Sequence, residues 1–339
     1  AYGFRGNARN FDLNRDFIKA DTKNTRAFYE IFQMVNPDVF VDTHVSNGAD
    51  YQYSLTHLFT QHNQMGGEMG KYINTEWKPA LEKALRKKDW DMTPYVNVFN
   101  DLPEKGFSQF LDTPRYSTGY TSLWNTFGMM VETHMLKPYE KRVWGTYEVL
   151  RSVIDIADED SKLIKKLRAQ AFKNFPAQES YAYDFEVDSS KISTLQFKGY
   201  EADKIKSEVT GFERLKYDTT RPFTKEVQYY DNFKPTQKVA IPKGYIIPQG
   251  WWPVLDLLEL NKVKMQEFDK DTLILAEVYH VKDYKTRDKA YEGHYPHSET
   301  KVTSSQRKIK VREGDFFVPV NQRAAKYIMA TLEPTAPDS

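Results

Sequence analysis

FGMMVETH, residues 127–134, is a continuous apolar run that ends abruptly in Glu132, Thr133 and His134. VFVDTH, residues 39–44, has the same build: Val39, Phe40 and Val41, then Asp42, Thr43 and His44. Short β-branched and aromatic runs without polar alternation read as strands buried on both faces. Polar groups at their C-terminal ends lie where open α/β sheets bind ligands. Before the first strand, Asp21 or Thr22 can cap a helix carrying Ala27, Phe28, Ile31, Phe32 and Val35, which Asn36-Pro37 ends. After the second, Val143, Trp144, Tyr147, Leu150 and Ile154 mark an amphipathic helix. The pattern is α/β. If the two strands run parallel, His44 and Glu132 face one crevice.

Other segments fit this frame. Between Met65 and Lys88, glycines give way to a helical pattern at Ile73, Trp77, Leu81 and Leu85, with a kink or restart at Pro79. A loop rich in Pro, Asp, Gly and Ser runs from about Thr93 to Thr121, longer than an idle connection. A helix is expected over Ser161–Phe172. Beyond Pro176 the texture changes: YAYDFEVD, STLQFKGY and EVQYYDNF alternate apolar with polar residues. The expected organisation is an α/β domain over residues 1–174 and a β-rich accessory domain over 175–339.

Composition excludes several classes. The 339 residues carry 48 Lys and Arg against 47 Asp and Glu, so a net charge of +1 gives no field to attract nucleic acid or an anionic membrane. No apolar run is long enough to span a bilayer. With no cysteine, disulfides, thiolate nucleophiles and thiolate-ligated zinc are excluded, leaving His, Asp and Glu as metal ligands.

FDLNRDF, residues 11–17, crowds Asp12, Asn14, Arg15 and Asp16 between two aromatic rings. A guanidinium offers a planar fork of donors to a carboxylate, and a neighbouring amide adds another. With Arg5, this segment resembles the substrate-anchoring segment of zinc carboxypeptidases of the carboxypeptidase A type. Three further stretches follow in that family's order. The strand ending in DTH is similar to the one bearing its third zinc ligand, RYSTGY (115–120) to its mobile tyrosine loop, and GMMVETH to the strand of its catalytic glutamate. The resemblance covers roughly residues 1–150.

It implies a mixed sheet flanked by helices and a zinc-dependent exopeptidase that releases C-terminal residues from peptides with a free carboxylate. Asn14 and Arg15 would hold that carboxylate, Arg5 would stabilise the oxyanion and Glu132 would act as general base. Tyr116 would close over the substrate and His44 would ligate zinc. The resemblance also points to bacterial relatives with a C-terminal accessory domain and a secreted or periplasmic location.

The chain departs from that pattern in its metal site. None of its seven histidines, at 44, 57, 62, 134, 280, 294 and 297, precedes a glutamate by three places, so the family's H-x-x-E pair of ligands is missing. Together with Ala1 at the start and LEPTAPDS at the end, this leads to an expected truncation at both ends and an inactive chain from an active parent. Two rival functions remain: a metal-free binding or scaffold protein, and a deacylase of N-acylated amino acids. His134 reads as structural, and EGHYPHSE (292–299) as an ordered loop rather than a cation site.

Overall fold

The computed structural model describes residues 5–338; the expected truncation point at Ala1 lies outside the described residues. Four strands form the central sheet in the order Val39–Ser46, Phe127–His134, Leu55–Phe59 and Met92–Pro94. The first pair and the last pair run parallel and the middle pair antiparallel, so the sheet is mixed. All residues of Phe127–His134 are buried, as its sequence demands.

Strand alternation divides this sheet into two chemically different faces. Phe127, Met129 and Val131 point to a core with Leu55, Phe59, Trp77, Leu81, Leu85, Val149, Val153 and Leu167. That core is roofed by helices Lys78–Arg86, Tyr139–Glu159 and Ser161–Asn174. A π-helical turn, Ile73–Trp77, precedes Pro79 and accounts for the interruption expected there. The opposite face carries Met130 with Leu58 and Tyr95, and ends in a cavity.

The helix Lys23–Val35 begins at Thr22, whose side chain accepts from the Thr25 amide, and stops at Asn36 in a left-handed conformation. The helix Tyr139–Glu159 corrects the sequence reading. Val143, Trp144, Tyr147 and Ile154 were assigned to its packed stripe, yet all are exposed. The buried stripe is Gly145, Val149, Ser152, Val153 and Ile156. Gly145 decides the choice, because a Cβ there would stand 2.8 Å from Leu55 Cδ2 and 3.0 Å from Trp90. The helix therefore has two apolar stripes, and only the one containing the glycine can approach the sheet.

Strands after Ser180 pair antiparallel with one another, and the change from helix to strand falls at the turn Phe175–Ala177. Cores cross this point. Tyr327, Ile328 and Met329 of the helix Ala325–Leu332 pack with Tyr29, Phe32, Tyr120 and Trp124. Phe197, Val227 and Tyr229 pack with Tyr51, Tyr53, Val96 and Phe107. The two halves are thus joined through shared apolar clusters. No helix is long and apolar enough to cross a membrane among the described residues.

Val39–Ser46 is an edge strand. Beside its end, Val45, Tyr139, Val143 and Tyr147 line one open groove. An edge without a second strand partner among the described residues, flanked by exposed apolar side chains, is a template for another strand. Sedimentation at rising concentration is expected to show self-association that Val45→Lys with Val143→Lys reduces; a constant monomer mass would show that the edge is inert.

Candidate active site

The segment around FDLNRDF sorts its polar groups into two kinds. Asp16 is structural: buried, it accepts from the amides of Asp21 (2.8 Å) and Thr22 (3.0 Å) and from the Thr22 hydroxyl (2.7 Å). This ties the segment to the first turn of Lys23–Val35. Asp12 caps the single 3-10 turn Leu13–Arg15 by accepting from the Asn14 amide at 3.0 Å. Its other oxygen pairs with Arg5 and lies 3.9 Å from Arg15 Nη1. Asp12 therefore holds both arginines in place, a role its sequence position did not reveal.

Arg15 is held on several sides. Its Nη1 donates to the Asn14 carbonyl at 2.7 Å and its Nε to the Tyr291 hydroxyl at 3.0 Å, while its guanidinium carbon lies 4.5 Å from the Tyr116 ring centroid. The remaining Nη hydrogens are the donors left for a ligand, the geometry a carboxylate matches with two oxygens.

His44 and Glu132 are direct partners across the parallel pair of strands, which sets both side chains on one face. His44 Nε2 lies 2.9 Å from Asp42 Oδ2, and Ser117 donates to that same oxygen at 2.5 Å. Burial pulls the His44 pKa down, but the Asp42 hydrogen bond and charge, with that of Glu132, outweigh it and raise the value. Burial pushes Asp42 up, and its bonds from His44 and Ser117 bring it below its ordinary value. Glu132 is raised by burial, against the lowering charges of His44 and Arg5.

Arg5, Asn14, Arg15, His44, Tyr116 and Glu132 all line one cavity of about 330 Å³, with Leu58, Tyr95, Phe110 and Met130 among its apolar walls. Two tyrosines share the RYSTGY stretch, and only one reaches this cavity. Tyr120 is fully buried, stacked on Tyr29 with centroids 4.8 Å apart and hydrogen-bonded to Asn261. Tyr116 packs edge-on to Phe110 at 5.2 Å and lines the cavity.

Asp112 also lines the cavity and was missed. Only 4% exposed, it accepts from Thr118, while its Oδ1 has no partner among the described residues. Burial pushes its pKa up to about 7. Gly119 allows this arrangement, because a Cβ there would meet the Thr113 carbonyl oxygen at 2.0 Å. The length of the loop was the available sign, since no spacing marks a lone aspartate.

Four other histidines have local partners. His57 Nε2 is 2.8 Å from Glu82, and His134 Nε2 is 2.8 Å from Asp50. In EGHYPHSE, His294 bonds Asp21, His297 Nδ1 lies 2.9 Å from Thr286 Oγ1 and Glu299 pairs with Lys285, so its polar groups are spent separately. Among the described residues no three His, Asp or Glu side chains converge as a metal cage. His44 suits a ligand in kind, because a carboxylate on one ring nitrogen is how metal-bound imidazoles are oriented. A single imidazole does not make a zinc site.

The shifted Asp112 carboxyl predicts a pH effect. An unfolded aspartate titrates near ~3.9, so between there and about 7 the folded chain holds an extra proton. The group's contribution to stability is present at low pH and falls as pH rises through that window. Asp112→Asn, which stays neutral, is expected to gain stability over the parent chain between pH 5 and 8, on the order of 2–4 kcal/mol. Denaturant melts at both pH values check this, and a pH-independent difference would contradict it.

No family model matches the chain, and no solved structure matches it. Three curated proteins named "Carboxypeptidase 2", from Trichophyton rubrum, Trichophyton equinum and Trichophyton tonsurans, are each 21% identical over 349 aligned positions. The alignment takes in 98% of this chain and 61% of each relative, so the chain spans about three-fifths of their length. The chain is distantly similar to proteins of carboxypeptidase name over nearly its whole extent.

Proposed function

We propose that the chain belongs to a zinc-carboxypeptidase-like exopeptidase and contributes the residues that recognise the peptide terminus and handle its proton transfer. One observation carries the reading: six residues chosen from sequence, between positions 5 and 132, line one cavity. The distant similarity to carboxypeptidases supports it.

In this reading Arg15 and Asn14 hold the terminal carboxylate, and Tyr116, already against the Arg15 guanidinium, covers it. Arg5 supplies a fixed cation for charge growing on the carbonyl oxygen of the last peptide bond. Glu132 takes a proton from the attacking water and passes it to the leaving amine. A carboxyl raised by burial suits both halves of that task. Residues 175–339 are proposed to act as an accessory unit, and a secreted or periplasmic setting is part of the same proposal.

Zinc would require ligands beyond His44, and the residues described do not provide them. The single histidine favours a second reading for this chain taken alone, a carboxylate-binding protein without catalysis.

Two results test the proposal. Calorimetric zinc titration of this chain is expected to show no tight binding that His44→Ala abolishes; such binding would mean that the ligand set has been misjudged. In an assay of C-terminal residue release, Glu132→Gln is expected to lower kcat by roughly 10²–10⁴-fold with little change in KM. Unchanged kcat would remove Glu132 from the mechanism.

A further inference from the structure

The loop 287–297 lies far in sequence from every residue proposed above, yet it reaches the carboxylate anchor. It is the tip of a hairpin whose strands, Thr272–Thr286 and His297–Val311, are largely exposed. At the tip, Glu292 and Gly293 both have positive φ, +49° and +79°, and Tyr291 and His294 bond each other's backbone at 2.7 and 3.1 Å. Two consecutive positive φ values make the tight turn that suits a hairpin. Gly293 also lies against Phe11, since a Cβ there would stand 3.1 Å from its ring.

The tip makes three polar contacts with the segment holding Arg15. The Asp12 amide donates to Glu292 Oε2 at 2.7 Å, His294 bonds Asp21, and Arg15 Nε donates to the Tyr291 hydroxyl at 3.0 Å. Two guanidiniums lie over the Tyr291 ring, Arg115 at 5.8 Å and Arg287 at 5.1 Å from its centroid. Tyr291 Oη thus occupies the Nε donor of Arg15 and leaves Nη2 to a ligand, and the Tyr116 ring lies over the guanidinium.

We infer that Tyr291 is a positioning residue for carboxylate recognition, and that the loop 287–297 is part of the terminus-binding site rather than an appendage of the β-rich half. The inference rests on Arg15 being the carboxylate anchor. A long arginine side chain loses rotamer freedom when it binds a ligand. An acceptor on Nε and an aromatic face on the guanidinium fix the fork before the ligand arrives, so the ordering cost is met within the folded chain. Removing the hydroxyl leaves Arg15 present and charged, but free to turn.

The test compares an N-acyl dipeptide bearing a free C-terminal carboxylate with its C-terminal amide, by calorimetry or NMR titration on the full chain. The intact chain is expected to favour the carboxylate. Tyr291→Phe is expected to weaken carboxylate binding about tenfold and leave the amide unchanged, the size of one hydrogen bond to a charged group. Arg287→Ala, which loosens the ring without touching Arg15, should give a smaller loss in the same sense. A purely structural role would weaken both ligands together and would overturn the inference. So would a Tyr291→Phe chain that discriminates as well as its parent. If the parent chain and Arg15→Ala both fail to discriminate, the anchor reading fails, and the inference with it.

Discussion

The in-register parallel pairing of Val39–Ser46 with Phe127–His134 is the constraint from which the site follows. It sets His44 directly opposite Glu132. Because strand side chains alternate, a slip of one residue would turn one of them into the apolar core. The register is held from the other face, where Phe127, Met129 and Val131 pack with Leu55, Phe59 and the roofing helices. Apolar packing on one side thus sets the polar geometry on the other. The cavity is closed by segments with their own anchors: residues 11–17 through Asp16, and the Asp112–Ser117 loop through Thr118 and Gly119.

Much of this arrangement was legible in local sequence. Uninterrupted apolar runs marked the two strands, and their polar ends marked the crevice. Thr22 and Asn36-Pro37 bracketed a helix that the structure places at Lys23–Val35. On Tyr139–Glu159, helical periodicity pointed to the stripe of Val143, Trp144, Tyr147, Leu150 and Ile154, and the structure buries another. A glycine contact with Leu55 and Trp90 decides it, and contacts between distant segments leave no local pattern. Asp112 and Tyr291 were invisible for the same reason. Each owes its place to a partner or a burial that only the folded chain supplies.

The two halves of the chain also prove more interdependent than their composition suggests. The change to alternating strands after Phe175 is real at the level of secondary structure. Even so, the helix Ala325–Leu332 completes the core around Tyr29 and Tyr120, and the 287–297 loop bonds the segment carrying Arg15. Alternation reports which face of a strand is apolar, not which neighbour will cover it. A shared core therefore cannot be read from it.

The proposed site for a peptide's C-terminal carboxylate, residues 5–17 with the ends of the two paired strands, is tested most directly by a crystal structure of the chain with a peptide bearing a free C-terminus. The terminal carboxylate should lie within hydrogen-bond distance of the Arg15 Nη atoms and Asn14, with the last peptide bond between Arg5 and Glu132. A peptide bound elsewhere, or seated in this cavity with its carboxylate away from Arg15, would contradict the account.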